Sequence, residues 1–252
     1  MHIFKLRPGT LLAAQIIAHL AWIPLLLYGT WYHFLLTFFV YFITGCFGMT
    51  MTNHRLLSHK SWNAPNWFRV FGSLAATYGL VGSTISWVAI HRQHHRFTDR
   101  EGDPHAPAHG FARAQWLSMY HDVNVKYAVE LIRDKFHVFL HQQYFLLHLI
   151  VFVFWLLIDP MLLVACYLAP AALLWEMGSF INTINHKSKV GDRNFDTSDN
   201  SRNVAWLGYL MWGEGWHNNH HHKANDPKFG VKNNEFDMGW FFIKRLQNVE
   251  KA

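Results

Sequence analysis

The sequence predicts an all-α integral membrane protein: four transmembrane helices with a cytosolic helical cap that carries a histidine-rich site. Three observations lead there. The 252-residue chain is 51% hydrophobic and 17% aromatic but only 15% charged, which is more apolar and less charged than soluble domains usually are. Its apolar residues gather into stretches long enough to cross a bilayer. Nine of its 19 histidines fall into four tight groups, all outside those stretches.

A bilayer-crossing helix needs about 20 predominantly apolar residues. Four stretches meet or approach that length: residues 10–28, 32–51, 144–158 and 161–181. A fifth, Trp67–Ile90, is apolar but interrupted by Gly72, Gly79 and Gly82, and is expected to dip into the membrane without crossing it. No linker, low-complexity run or internal repeat divides the chain. Residues 1–252 are therefore read as a single domain, with a cap formed by residues 52–143 and 182–252.

Charge placement supports this division. All 22 Lys and Arg lie outside the four spans: two before the first, ten between the second and third, and ten after the fourth. The turns near Gly29–Trp31 and Asp159–Pro160 carry none. Basic loops stay on the cytoplasmic side, so both termini and all four histidine groups are expected to be cytosolic. A soluble helical bundle would show no such sorting. A net charge of +6 suits a face that meets anionic headgroups. Nucleic acid is not an expected partner, because the aromatics lie mostly in the spans rather than among basic repeats. Cys46 and Cys166 each lie within a span, where packing is the expected role. No small-residue cleavage site follows the first apolar stretch, so no cleavable signal peptide is expected.

The histidine groups are His54 and His59 in HRLLSH, His91, His94 and His95 in HRQHH, His186 in NTINH, and His217, His220 and His221 in GEGWHNNHH. On a helix, positions i, i+3 and i+4 share a face, so each trio can aim three imidazoles at one spot. His54 and His59 are five apart, roughly 140° around an ideal α-helix. That pair either serves two different metals or straddles a helix end. Two trios plus a split pair point to two metals. Structural zinc would show cysteines or a four-ligand set. Carboxylate-bridged di-iron bundles use Glu and Glu-x-x-His pairs, whereas here only Glu214 lies close to a trio and Glu176 lies within the fourth span. All-imidazole ligation suits iron, copper or zinc.

HRLLSH, HRQHHRFTD and GEGWHNNHH resemble the three histidine boxes of membrane fatty acid desaturases, specifically the Δ9 acyl-CoA and acyl-lipid group. The resemblance runs from about Asn53 to His222 and, less specifically, through the aromatic tail beginning at Gly239. Trp87, four residues before His91, and the run Asp103-Pro104-His105 also fit. The resemblance implies nine histidine ligands to two Fe(2+) ions: His54, His59, His91, His94, His95, His186, His217, His220 and His221. It implies that Asn182 reaches an iron through water and that Trp87 lines the acyl tunnel; the alternative for Trp87 is a membrane-interface aromatic. It further implies O2 as co-substrate and a fatty acyl substrate that receives a cis double bond, at Δ9 in this group. Animal acyl-CoA desaturases place an Arg-Asp pair immediately before the second box. This chain has Ala89-Ile90 there, which leaves acyl-lipid open beside acyl-CoA. No His-Pro-Gly-Gly haem motif is present, so the expected electron donor is a separate protein such as a ferredoxin or rubredoxin, with its reductase. The expected location is a bacterial inner membrane. The alternatives are a fatty acyl hydroxylase on the same di-iron scaffold and a histidine-rich membrane metal carrier, which would need ligands inside the spans.

Other residues receive plainer expectations. His105 and Glu214 are read as groups that orient ligands, with a surface loop and a helix cap as their respective alternatives. His19, His33 and His148 are read as packing or interfacial residues. His222 lies off the face of its trio. His2, His109, His121, His137 and His141 are read as surface or interface residues. Arg92 and Arg96 are expected on a solvated face, or on a headgroup or donor. The stretch Phe236–Val249 is amphipathic, with Trp240, Phe241, Ile243 and Leu246 available to lie on the bilayer.

Overall fold

Apolar stretches bounded by Pro, Gly and Asp dictate where the long helices begin. At Asp159 the carboxylate accepts hydrogen bonds from the backbone N–H groups of Met161 and Leu162, at 2.6 and 3.1 Å. Pro160 occupies the first helical position, where its missing N–H costs nothing. The helix that starts there runs to His186 as one apolar rod. It comprises α8 (Pro160–Leu163), a π-helical turn at Val164–Leu168, and α9 (Ala169–Lys187).

The computed structural model describes residues 8–105, 110, 112–117, 124–187 and 189–249. His2, His109 and His121 lie outside them. The described residues form helices and irregular connections, and their only β pairing is the isolated bridges Asp192–Asn203 and Asn203–Trp216. Three helices are long and apolar enough to cross a membrane: Gly9–Tyr28, Trp31–Ser58 and Pro160–His186. The first combines α1 (Pro8–Leu20) and α2 (Trp22–Tyr28); the second begins as α3 (Trp31–Phe42) and continues π-helically from Ile43 to Ser58. The expected span at 144–158 is α7 (Tyr144–Ile158), 15 residues long. At about 1.5 Å per residue it falls short of a bilayer's hydrocarbon thickness. It joins α6 (Lys135–Gln142) across a 65° bend, and only together does this pair match a span in length.

The apolar stretch Trp67–Ile90 divides at Gly79 and Gly82, while Gly72 stays within its first helix. It forms α4 (Asn66–Tyr78) and α5 (Thr84–Phe97), separated by a turn in which Leu80 and Gly82 have φ of +58° and +98°. The α4 helix packs closely on the π-helical stretch: a Cβ at Gly48 would stand 2.5 Å from the backbone nitrogen of Ala76. Elsewhere Ala18, Ala21, Ala165, Ala169 and Ala172 are buried among the membrane-type helices. Small residues let helices approach where lipid supplies no hydrophobic drive for association.

Near the C-terminus, α10 (Ala205–Leu210), α11 (His217–His222) and α12 (Met238–Val249) fold over the ends of the long helices. Here one expectation is corrected. Ile243 is fully buried, and Trp240 and Leu246 pack on the same core against Tyr41, Trp212 and Met211. The exposed aromatics of this stretch are Phe236 and Phe241. The apolar side of α12 is largely spent on the protein's own core.

Candidate metal centre

The π-helical stretch decides how the first two histidines meet. The His59 backbone N–H donates to the His54 carbonyl, an i→i+5 bond of 3.1 Å. The wider turn of a π-helix brings residues five apart onto one side. The two rings accordingly lie 5.0 Å apart, and His59 caps the helix end. The pair therefore does not divide between two metals; it straddles a helix end and converges.

The trios divide instead. One group that could hold a metal ion comprises His54, His59, His91, His95 and His220; a second comprises His94, His186, His217 and His221. Within each group the nitrogen atoms lie within 4.8 Å of one another. The expectation that each trio serves one spot is corrected by helix geometry. At about 100° per residue, positions i+3 and i+4 fall on opposite flanks of position i. His91 and His95 turn to one group and His94 to the other. On α11, His217 and His221 pair while His220 turns away. The two helices thus each serve both groups.

The intervening residues explain the local sequence. Asn218 and Asn219, inside HNNHH, both receive the side-chain oxygen of Asn203 on their backbone N–H groups, at 2.9 and 3.2 Å. The Asn219 side chain donates to Glu235 and to the Phe229 carbonyl, each at 2.8 Å. The Asn218 oxygen accepts from the backbone N–H groups of Asn194 and Phe195. The asparagines are the anchors on the outer side of α11; the histidines are its inner side.

Four carboxylates hold imidazole Nδ1 atoms. Glu214 meets His54 at 2.6 Å, Asp103 meets His94 at 2.9 Å, Asp99 meets His186 at 3.2 Å and Asp199 meets His221 at 3.0 Å. Burial alone would raise the carboxyls of Asp103 and Asp199. The hydrogen bonds to His94 and His221 reverse that and hold both well below the usual range. Both are therefore ionised and accept Nδ1–H. Glu214 is pushed up to about 8 by burial, against the pull of Arg55, and its contact with His54 is the shortest of the four. Such outer carboxylates fix the tautomer and orientation of metal-binding imidazoles. Glu214 and the run containing Asp103 were legible as candidates from sequence. Asp99 and Asp199 were not, because Asp199 is remote from every histidine box and Asp99, although inside HRQHHRFTD, faces His186 rather than its own trio.

Burial also keeps the imidazoles neutral. It holds His59 down to about 3, with Arg92 adding to the effect. It holds His91, His95, His217, His220 and His221 well below the ordinary range, and neighbouring rings reinforce it. With their Nδ1 atoms held by Asp99 and Asp199, His186 and His221 turn their Nε2 atoms into the group. His217 Nε2 stands 2.9 Å from one and 3.1 Å from the other. One proton cannot satisfy both contacts. His94 Nε2 is buried and has no hydrogen-bond partner among the described residues. Imidazole nitrogens that converge closer than one shared proton can satisfy suit a bound cation.

Residues 29–229 match the model of the fatty acid desaturase family. The chain belongs to the fatty acid desaturase family. Similar proteins include an sn-2 palmitoyl-lipid 9-desaturase of Nostoc sp., 35% identical over 85% of this chain and 78% of the relative. Delta-9 acyl-lipid desaturase 2 of Arabidopsis thaliana is 34% identical over 89% of this chain and 75% of its own length. An sn-1 stearoyl-lipid 9-desaturase of Synechocystis sp. is 31% identical over 92% and 74%. This chain is thus an oxidoreductase of the membrane desaturase type. The family implies iron and O2, a fatty acyl substrate and an electron donor.

The remaining predicted residues of the desaturase take definite places. Trp87 stacks on His91, with centroids 4.8 Å apart and planes 13° apart, and its edge meets His54. It therefore packs directly on the first histidine group. The His105 ring lies 5.7 Å from that of His94, and its backbone N–H donates to Asp103. Asn182 is half-buried one turn before His186 on α9. His222 is exposed and stacks on Phe195.

His19, His33 and His148 make the expected packing contacts, to Glu176, Thr30 and Tyr167 respectively. His137 and His141 are corrections to a surface reading. Both are buried, bonded to Asp134 and Ser73 and to Ser83 respectively. Arg92 is a structural clamp, donating to the carbonyls of Ser58, Tyr127 and Leu57 at the end of the π-helical stretch. Arg96 is exposed, as expected.

Proposed function

We propose that this protein is a di-iron acyl-lipid desaturase that forms a cis double bond at Δ9 of a saturated chain. The observation that carries the reading is the pair of converging imidazole groups, five and four strong, with the nitrogens of each group within 4.8 Å of one another. His54, His59, His91, His95 and His220 would hold one iron; His94, His186, His217 and His221 would hold the other, with Asn182 reaching it through water. Bound there, two ferrous ions and dioxygen supply the oxidising power that acid–base side chains cannot bring to an unactivated C–H bond.

The chain's own residues bind and orient. Asp103, Asp99, Asp199 and Glu214 fix the imidazoles, with His105 behind His94. Trp87 shields His91 and forms an apolar wall for the substrate. A held geometry is what can distinguish one methylene from its neighbours. The lipid-borne substrate is favoured by the names of the relatives and by Ala89-Ile90, which offers no charge to a CoA headgroup. Residues 1–252 act as one desaturase domain, with α6 and α7 together as a fourth span. Charge sorting favours a cytosolic cap and termini in a bacterial inner membrane, where a ferredoxin or rubredoxin would deliver electrons.

The test is expression in a host lacking its own desaturase, followed by fatty-acid profiling with double-bond location. A new C9 monoene in the lipid fraction is the expected result. A hydroxylated product, or none, would overturn the reading.

A further inference from the structure

Glu176 stands on α9 inside a membrane-type helix, and nothing in the metal centre uses it. Ionisable groups at such depth are rare and usually functional. Its carboxylate collects three donors or partners: His19 Nε2 at 3.0 Å, Gln115 Nε2 at 2.8 Å and Trp116 Nε1 at 2.7 Å. Gln115 also accepts from Thr183 Oγ1 at 3.0 Å. The short helical turn Arg113–Leu117 is thereby pinned along α9, with Trp116 facing the same cavity as residues of α1.

Beside this cluster is an open cavity of about 260 Å³, lined by Leu12, Gln15, Ile16, His19 and Leu20 of α1 and by Trp116 and Trp175, with apolar atoms forming nearly all of its exposed wall. Ile16 and Leu20 are more than half exposed on the outer surface of the span. The cavity therefore opens toward the surface that meets lipid tails. Trp175, Asn182 and His186 lie on one face of α9, since steps of seven and eleven residues return to within about 20° of the start. Trp175 is about 16 Å along the axis from His186. Between them, Gly178 has nothing within 4 Å of where a Cβ would stand.

We infer that the cleft between α1 and α9 is a lateral portal through which the acyl chain of a membrane lipid slips from the bilayer into the metal centre. On the way in the methyl-terminal part passes Trp116 and Trp175, Gly178 leaves room for its path, and the reacting part comes to lie beneath His186. The lipid head stays at the membrane surface. Glu176 serves as the latch that keeps Trp116 in the portal wall. This inference rests on the desaturase reading for the chemistry but not for the binding.

The test uses the full chain in nanodiscs with a phosphatidylcholine whose saturated chain carries a diazirine near its methyl end. Crosslinks are expected in the peptides holding Ile16 and Trp116, and they should fall several-fold with excess unlabelled saturated lipid. Ile16→Trp should lower both crosslinking and initial rate, whereas Leu149→Trp on the lipid face of α7 should change neither. Gly178→Leu should lower the rate at least tenfold with bound iron and Tm unchanged. Crosslinks spread evenly over α7 and α1, or wild-type rates in both Ile16→Trp and Gly178→Leu, would overturn the portal. If Gly178→Leu loses iron or Tm, Ile16→Trp decides the matter alone. Competed crosslinking at the cleft without any double-bond formation would support the portal and count against the desaturase reading.

Discussion

The backbone N–H of His59 bonds to the carbonyl of His54 across 3.1 Å, five residues back, and this single bond sets the first wall of the metal centre. An α-helical turn would splay the two rings by about 140°. The π-helical turn brings their centroids to 5.0 Å. Inserting one alanine between Leu56 and Leu57 lengthens the spacing to six residues, which neither an α-helical nor a π-helical turn returns to one face, and should turn one ring away. The expected outcome is loss of about one bound iron per chain, read by elemental analysis of the purified protein. Full metal content would show that the register between the two rings is dispensable.

The adjacent residues His94 and His95 belong to different groups. His94→Ala and His95→Ala should therefore each lower bound iron by about one per chain, and the double variant should lower it by about two. If the trio served one ion, the double variant would lose no more than either single. Elemental analysis beside a protein assay distinguishes these outcomes.

Asp199 holds His221 from the far side of the site at 3.0 Å. Loss of such an outer partner commonly costs about 10–100-fold in metal affinity or activity. Asp199→Asn should show a loss of that order, read by competition with a chelator of known affinity. Asp196→Asn is the control, because that side chain is fully exposed and its ion-pair partner among the described residues is Arg193, at 3.7 Å.

Arg55 is fully buried beside His54, bonded to Asp237 at 2.9 Å and stacked on Phe229 at 3.8 Å. Removing one partner of a buried ion pair leaves the other uncompensated and costs about 3–5 kcal/mol. Arg55→Met should lower the thermal midpoint in detergent markedly. Asp237→Leu added to it should recover part of the loss. If Arg55→Met unfolds at the wild-type temperature, the pair does not fasten the C-terminal segment.

The long apolar runs and their sorted charges made the helical, membrane-type architecture legible in advance, because crossing a bilayer restricts both length and composition. The nine box histidines were legible for a similar reason: clustered imidazoles have few uses other than a metal. The roles of Arg92, His137 and His141 were not. Each is a polar residue whose partner lies dozens of positions away, at Ser58, Ser73 or Ser83, and composition says nothing about such pairings.

By itself the sequence determined the kind of protein, the ligand type and the desaturase boxes, since these depend on local composition and short spacing. Only the tertiary structure decided which imidazoles face one another. That division follows from a π-helical register and from the opposite flanks of two α-helices, both of which depend on backbone geometry and helix packing. It also decided which carboxylates reach them, because Asp99 and Asp199 are brought to His186 and His221 by loops that fold back across the site.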